Sequence, residues 1–301
     1  MFSPTSIADF LACTHLAALD RAATARVIKR PYFPDPTLEL LIKLGNAHEQ
    51  AYLDKLNAQG LAIANIPIEG SRREAAAKTV EAIHNAADVV YQATLLNDAL
   101  ADAAGTEGWS GRADFLIRVD KPSDLGLYSY EVVETKLARS TRARAIIQLC
   151  FYSDLLAGIQ GVVPDYMHVV LGGGAKPERF CVSRYLAYFR KVRCDFVAAR
   201  QRQPATYPEP VEHCRICDWS TVCAAQWRKD DHLSLVANIT RNQRQALISQ
   251  GTDTVGAGAP ASRTKDRGHQ SEGPGKHPAA SPLTGNRPRA APLYLRTAGS
   301  T

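Results

Sequence analysis

The stretch GRADFLIRV, Gly111 to Val119, is where the chain's hydrophobic period changes from helical to alternating. Ala113, Phe115, Ile117 and Val119 fall on one side of an extended segment and Asp114, Leu116 and Arg118 on the other, which predicts a β-strand. Asp120 to Gly126, with Pro122, make a turn. YEVVETKL, Tyr130 to Leu137, then repeats the alternation as a second strand whose Val132, Glu134 and Lys136 share a face. Two neighbouring strands therefore each carry an acid, and the second carries a lysine two residues beyond its acid.

Outward from this pair the signals are mostly helical. Thr5 to Leu19, with Ile7, Phe10, Leu11 and Leu16, predicts a helix that carries Cys13. Asp35 as N-cap and Pro36 at the first helical position open a second helix, with Leu40, Leu41, Leu44, His48 and Tyr52 on one stripe and a stop near Gly60. Ser71 and Glu74 form a capping box for a third, running towards Val90, and Gly105 to Gly108 make a turn. After the strands come a helix from about Thr141 to Ala157, a buried strand Tyr166–Leu171 ended by three glycines, and a helix from Ser183 to about Arg200. Pro204, Pro208 and Pro210 break the chain before a cysteine-bearing loop, and Thr240 to Gly251 reads as a short helix with its stop. The expected fold is α/β, a mixed central sheet flanked by helices.

Of the 301 residues 45% are hydrophobic, enough for one large domain or two small ones. The net charge of +6 is unevenly placed: residues 252–301 hold seven basic and three acidic residues, a net +4, which leaves +2 for the rest. Any phosphate-binding surface on the body must therefore be local. The same 50 residues contain seven Gly and six Pro without apolar periodicity, which predicts a disordered basic tail. No apolar run reaches the length of a membrane span and the start carries no secretion signal, so a cytoplasmic protein with no membrane partner is expected.

Hard oxygen ligands hold Mg²⁺ or Mn²⁺, and such an ion activates water and stabilises charge in phosphodiester hydrolysis. Asp114 and Glu134, on adjacent strands, can converge on one ion, with the Thr135 carbonyl as a further ligand. Lys136 stands beside them, where it can orient water or stabilise the phosphorane. His48 on the second helix can complete the shell. Arg144, Gln148 and Tyr152 recur every four residues on the closing helix and form a positioning stripe. Singly each has a blander reading: a surface strand pair, a solvated aspartate, a half-buried histidine, a helix rim. Their conjunction and order favour a site.

These pieces resemble the RecB-like branch of the PD-(D/E)xK nuclease superfamily: a helix histidine (Gly45 to Glu49), a strand aspartate (Gly111 to Leu116), E-x-K (Glu134 to Lys136) and Q-x-x-x-Y (Gln148 to Tyr152). The resemblance covers roughly residues 1–251. It implies a restriction-endonuclease-like core and a metal-dependent DNase acting on single strands or duplex ends, in repair, recombination or defence, with a helicase as a frequent partner.

Cys214, Cys217 and Cys223 lie within ten residues, a spacing that suits a metal or cluster and needs a fourth ligand. The iron–sulfur subgroup of the same branch, which includes CRISPR-adaptation and AddB-type nucleases, holds a [4Fe–4S] cluster with one cysteine before the core and three after it. The resemblance assigns Cys13, Cys214, Cys217 and Cys223 to those places. A Cys₃His zinc site using His213 is the competing reading. Cys150, Cys181 and Cys194 are expected to be ordinary buried thiols.

The expected organisation is a nuclease domain over residues 1–230, a helical extension over 231–251 and the tail. That tail is either a natural disordered segment or the mark of a truncated or frame-shifted nuclease–helicase. Besides a DNase, the sequence allows an idle DNA-binding accessory module with structural zinc or iron–sulfur, or an iron–sulfur redox sensor. The intact Asp114, Glu134 and Lys136 speak for the enzyme.

Overall fold

Six strands form one mixed sheet whose spatial order follows the sequence: β1 (Ile63–Asn65), β2 (Val89–Asn97), β3 (Trp109–Val119), β4 (Ser129–Lys136), β5 (Tyr166–Leu171) and β6 (Glu178–Cys181). They belong to a computed structural model that describes residues 1–98, 108–173 and 176–258. The middle three strands pair antiparallel. Parallel pairs flank them, β1 with β2 and β4 with β5, and β6 closes the edge antiparallel to β5. A parallel pair needs a crossover, and helices supply it. Helix α4 (Arg72–His84) links β1 to β2, and α5 (Ala143–Gln160) links β4 to β5.

The helices start and stop where local chemistry allows. The Asp35 side chain accepts the Thr37 N–H at 2.9 Å at the head of α3 (Pro36–Ala58), and Ser71 and Glu74 exchange both bonds of a capping box at α4. Helix α5 ends at Gly161, whose φ of 72° puts it in the left-handed region that glycine tolerates. Buried residues fall on every side of α5, from Ala145 to Gln160, because it is covered by the sheet, by α1 (Pro4–Ala12) and by α6 (Ser183–Arg202). The main core fills this side of the sheet. A smaller one, formed by Leu56, Val89, Phe115, Val133 and Val170, lies under α3.

Four expectations need correction. The first helix is two: α1 and α2 (Thr14–Thr24), with Cys13 extended between them (φ −162°, ψ 115°). The third helix stops at His84, and β2 occupies the stretch beyond it. In β2 Val89 and Val90 are both fully buried, one in each core, so the strand reads as an apolar run without alternation. On α3 only the second half of the expected stripe is covered. Tyr52 packs edge-on against Phe115, while Leu40, Leu41 and Leu44 are exposed.

Lastly, Ala113 and Phe115 do not face one way. A Cβ at Gly111 would meet Tyr152 and Phe151 of α5, whereas Phe115 packs on Tyr52 of α3, so the alternation of β3 reverses between them. Asp114 stands at the reversal. Opposite it on β2, between the pairs Tyr91–Phe115 and Ala93–Ala113, Gln92 has a φ of 56°. A non-glycine residue in that region is held there by its surroundings.

Beyond α6 the chain forms α7 (Ser220–Lys229) and α8 (Arg241–Ser249), the latter where the short helix was expected. Past residue 251 the Val255 N–H donates to the Asp231 carbonyl at 2.8 Å, and the short α9 (Val255–Gly258) begins there, within the segment expected to be tail. Residues 1–258 form one compact unit. The rest of the expected tail, and the turn expected at Gly105 to Gly108 apart from Gly108 itself, lie outside the described residues. Among the described residues no helix is long and apolar enough to cross a membrane.

Candidate active site

Antiparallel pairing of β3 with β4, in register at Phe115–Val133, brings Asp114 beside Glu134 and Thr135. The Thr135 N–H and hydroxyl donate to Asp114 Oδ2 at 2.7 and 2.8 Å, and the Asp114 N–H donates to Glu134 Oε1 at 3.3 Å. No described residue donates to the other Asp114 oxygen. The two expected acids are therefore locked together by strand backbone, and Thr135 contributes a side chain that fixes Asp114.

Glu134 is wholly buried. Its Oε2 accepts from Lys136 Nζ at 2.7 Å and from Gln148 Nε2 at 3.0 Å, and Gln148 also donates to the Tyr152 hydroxyl at 3.2 Å. Gly111 makes room for this: a Cβ there would lie 2.6 Å from the Tyr152 ring. Burial, and then the nearby Asp114 charge, push the Glu134 carboxyl up to about 8. Burial also opposes the Lys136 charge, but Glu134, Asp114 and Glu49 together outweigh it and hold the ammonium above its usual range. Two carboxylates that repel each other in a dry site, with one edge open, form a donor set suited to a hard divalent cation.

The other side of the sheet contributes α3. His48 Nε2 lies 3.1 Å from the Val170 carbonyl, which can only accept, so this nitrogen carries a proton. Glu49 is the residue that the sequence reading left without a role. Burial and then Asp114 raise its pKa, Gln92 and Tyr91 hydrogen-bond it, and Lys136 attracts it. It is a third carboxylate in the electrostatic field of the site. Its position inside GNAHE was the available signal, but a lone acid on a helix is ordinarily solvated.

Arg144 departs from the expected stripe. Its guanidinium pairs with Asp9 of α1 at 3.0 Å, so only Gln148 and Tyr152 of the three reach the site.

The cysteine region is assembled from two segments about 200 residues apart. His15 Nδ1 lies 2.8 Å from the Thr206 hydroxyl, and the Trp219 indole N–H donates to Asp20 at 2.7 Å. Trp219 is buried between Cys217 and Cys223 in sequence. Both of those thiols are raised by burial first; Cys214 and Cys13 add to each, and Cys223 reaches about 11. Cys13 therefore stands within the electrostatic reach of the downstream cysteines although it lies about 200 residues upstream. Thiols that raise one another in this way are relieved when a metal or cluster takes them as thiolates, so the donor set fits. His213 lines a cavity with Leu11, Ala12, Arg144 and Tyr188. Cys150 is buried as expected, but Cys181 is half-buried and Cys194 exposed, since β6 is an edge strand and α6 is amphipathic.

Among the described residues no three His, Cys, Asp or Glu side chains are drawn together closely enough to hold a metal ion, so both metal readings rest on donor chemistry. Compared with known proteins, the chain matches no family model and no curated protein. Among solved structures it is similar to that of SSO0001, at 15% identity over 74% of this chain and 85% of that one with a TM-score of 0.40, a likeness too slight to assign a fold family or a chemistry.

Proposed function

We propose that this chain is a Mg²⁺- or Mn²⁺-dependent deoxyribonuclease with a restriction-endonuclease-like core of the RecB-like kind. The observation that carries this reading is the locked pair Asp114 and Glu134, with the Lys136 ammonium 2.7 Å from a buried carboxylate. Asp114, Glu134 and His48 would hold the ion, with Glu49 near enough to tune it. When bound, the ion would activate water and offset charge on the phosphate.

The chain's own residues do the rest. Thr135 fixes the rotamer of Asp114 through two hydrogen bonds. Gln148 and Lys136 hold Glu134 Oε2, and Tyr152 holds Gln148. Lys136, whose ammonium is favoured by the neighbouring Glu134, Asp114 and Glu49, supplies a fixed cation for an anionic transition state. Cys13, Cys214, Cys217 and Cys223 would carry a [4Fe–4S] cluster that ties the N-terminal helices to the cysteine segment. The substrate is DNA, as single strands or duplex ends, and a helicase is a suitable partner in repair, recombination or defence.

The test is cleavage of end-labelled linear DNA with Mg²⁺, with Mn²⁺ and with EDTA. Cleavage that requires the ion supports the reading. Absence of cleavage of single-stranded and duplex DNA under all three conditions would favour the idle binding module.

A further inference from the structure

A second feature adjoins the site on the far side of Tyr152. There a cavity of about 330 Å³ opens between the first turn of α1, the start of α4 and strands β2 and β3. It is lined by Thr5, Arg72, Thr94, Ser110, Arg112 and Tyr152, among others. Its size is at the low end for small-ligand pockets.

Three features of its lining suit an anion. Arg72 and Arg112 both line the cavity and have no ion-pair partner among the described residues, unlike Arg118 with Asp88 or Arg190 with Asp154. Thr94 is 3% exposed, and its hydroxyl has no hydrogen-bond partner among the described residues. A buried hydroxyl left unmatched costs stability, and Thr94 stands in the cavity wall, where a small shift would present its hydroxyl to an anion. The first turn of α1 adds positive potential. There Pro4 has no N–H, the Ser6 N–H is taken by Ser3 Oγ and the Ile7 N–H by the Ser3 carbonyl, so Thr5 retains an open donor. The Met1 amino group reports the same field: burial lowers its pKa, and Arg72 and Arg200 lower it further.

We propose that this cavity binds the terminal phosphate monoester of a nucleic-acid strand, and so sets which phosphodiester reaches Asp114 and Glu134. The assignment rests on the nuclease reading for the phosphate's carrier. A terminal group is favoured over an internal phosphodiester because a cavity of about 330 Å³ admits a strand end more readily than a phosphate flanked by two nucleosides. Two unpaired guanidiniums also match the extra charge of a monoester. Tyr152 forms one wall of the cavity and, through Gln148, is linked to Glu134, so an anchored end lies beside the carboxylates.

The experiment uses the full chain in EDTA, where binding is read without cleavage. Labelled single-stranded oligonucleotides carry a 5′-phosphate, a 3′-phosphate or hydroxyls at both ends, and affinity is measured by anisotropy. The wild type should prefer one phosphorylated end by about tenfold or more. Arg112→Gln and Arg72→Gln should erase the preference while retaining residual binding to all three. Thr94→Val should weaken binding of the phosphorylated end several-fold yet raise the melting temperature, because it removes an unmatched hydroxyl. A merely structural threonine would show the opposite sign in stability.

Equal affinity for all three oligonucleotides, or a preference that survives both arginine changes, overturns the proposal. Which end is preferred tells the 5′ source from the 3′ source. The same DNAs with Mg²⁺ separate the two claims: cleavage without end preference sinks the pocket alone, and end preference without cleavage sinks the nuclease alone.

Discussion

The carboxylate site and the cysteine region are built in opposite ways. Asp114, Glu134 and Lys136 sit on two adjacent strands whose backbone bonds bring them together, and Glu134 is sealed under α5 with every contact supplied by the sheet or that helix. The cysteines come from a break between two helices and from a loop and short helix about 200 residues later, and α7 buries none of its residues. Strand pairing can hold two repelling acids in place without a metal, at the cost of a raised Glu134 pKa. The cysteine segments, held by few contacts, depend more on what binds them. A metal at the first place should matter for chemistry, and one at the second for stability.

The largest expected effect would split the first site internally. Lys136→Ala should lower cleavage by about a thousandfold, the scale for removing a fixed electrostatic contact to a transition state, while Mn²⁺ affinity measured by calorimetry changes little. If turnover survives this change, the lysine is only a salt-bridge partner.

The next prediction sharpens the contrast. Anaerobically purified protein should be brown, with about four irons per chain, and Cys13→Ser should bleach it as fully as Cys217→Ser. Both changes should lower the melting temperature and expose the chain to protease, whereas Cys150, Cys181 and Cys194 changes leave the colour alone. A colourless protein with one zinc, indifferent to Cys13 but sensitive to His213, would show that the cluster assignment is wrong.

A smaller effect concerns pH in the metal-free protein. Glu134 is raised from 4.5 to about 8, so the folded state keeps a proton that the unfolded state has lost. Stability should therefore be highest below about pH 4.5 as far as this group is concerned, and fall as pH rises towards 8, by on the order of a few kcal/mol. Glu134→Gln should flatten that slope in urea titrations at pH 5 and pH 8. An unchanged slope would mean that Glu134 is not held neutral. The smallest effect is expected of Gln148→Ala and Tyr152→Phe, each slowing cleavage about tenfold through lost positioning.

How well the sequence foretold each place follows the same division. Strands β3 and β4 were legible because charged residues interrupt their apolar runs, Asp114 and Arg118 on β3 and Glu131, Glu134 and Lys136 on β4. Helices α3 and α4 were legible from Asp35, Ser71 and Glu74, which satisfy local backbone groups. Strand β2 was not, because its apolar run carries no charged residue and shows no alternation. Nor was the left-handed Gln92, since only tertiary packing can hold such a residue there. The reversal at Asp114 and the part played by Glu49 arise from pairing or packing partners remote in sequence, which local periodicity does not encode.

The most direct test is Mg²⁺-dependent cleavage of end-labelled linear DNA by the wild type, Asp114→Asn and Glu134→Gln, each checked for folding by circular dichroism. The account predicts ion-dependent cleavage by the wild type and none by either folded variant. Wild-type rates in a folded Asp114→Asn or Glu134→Gln protein would contradict it.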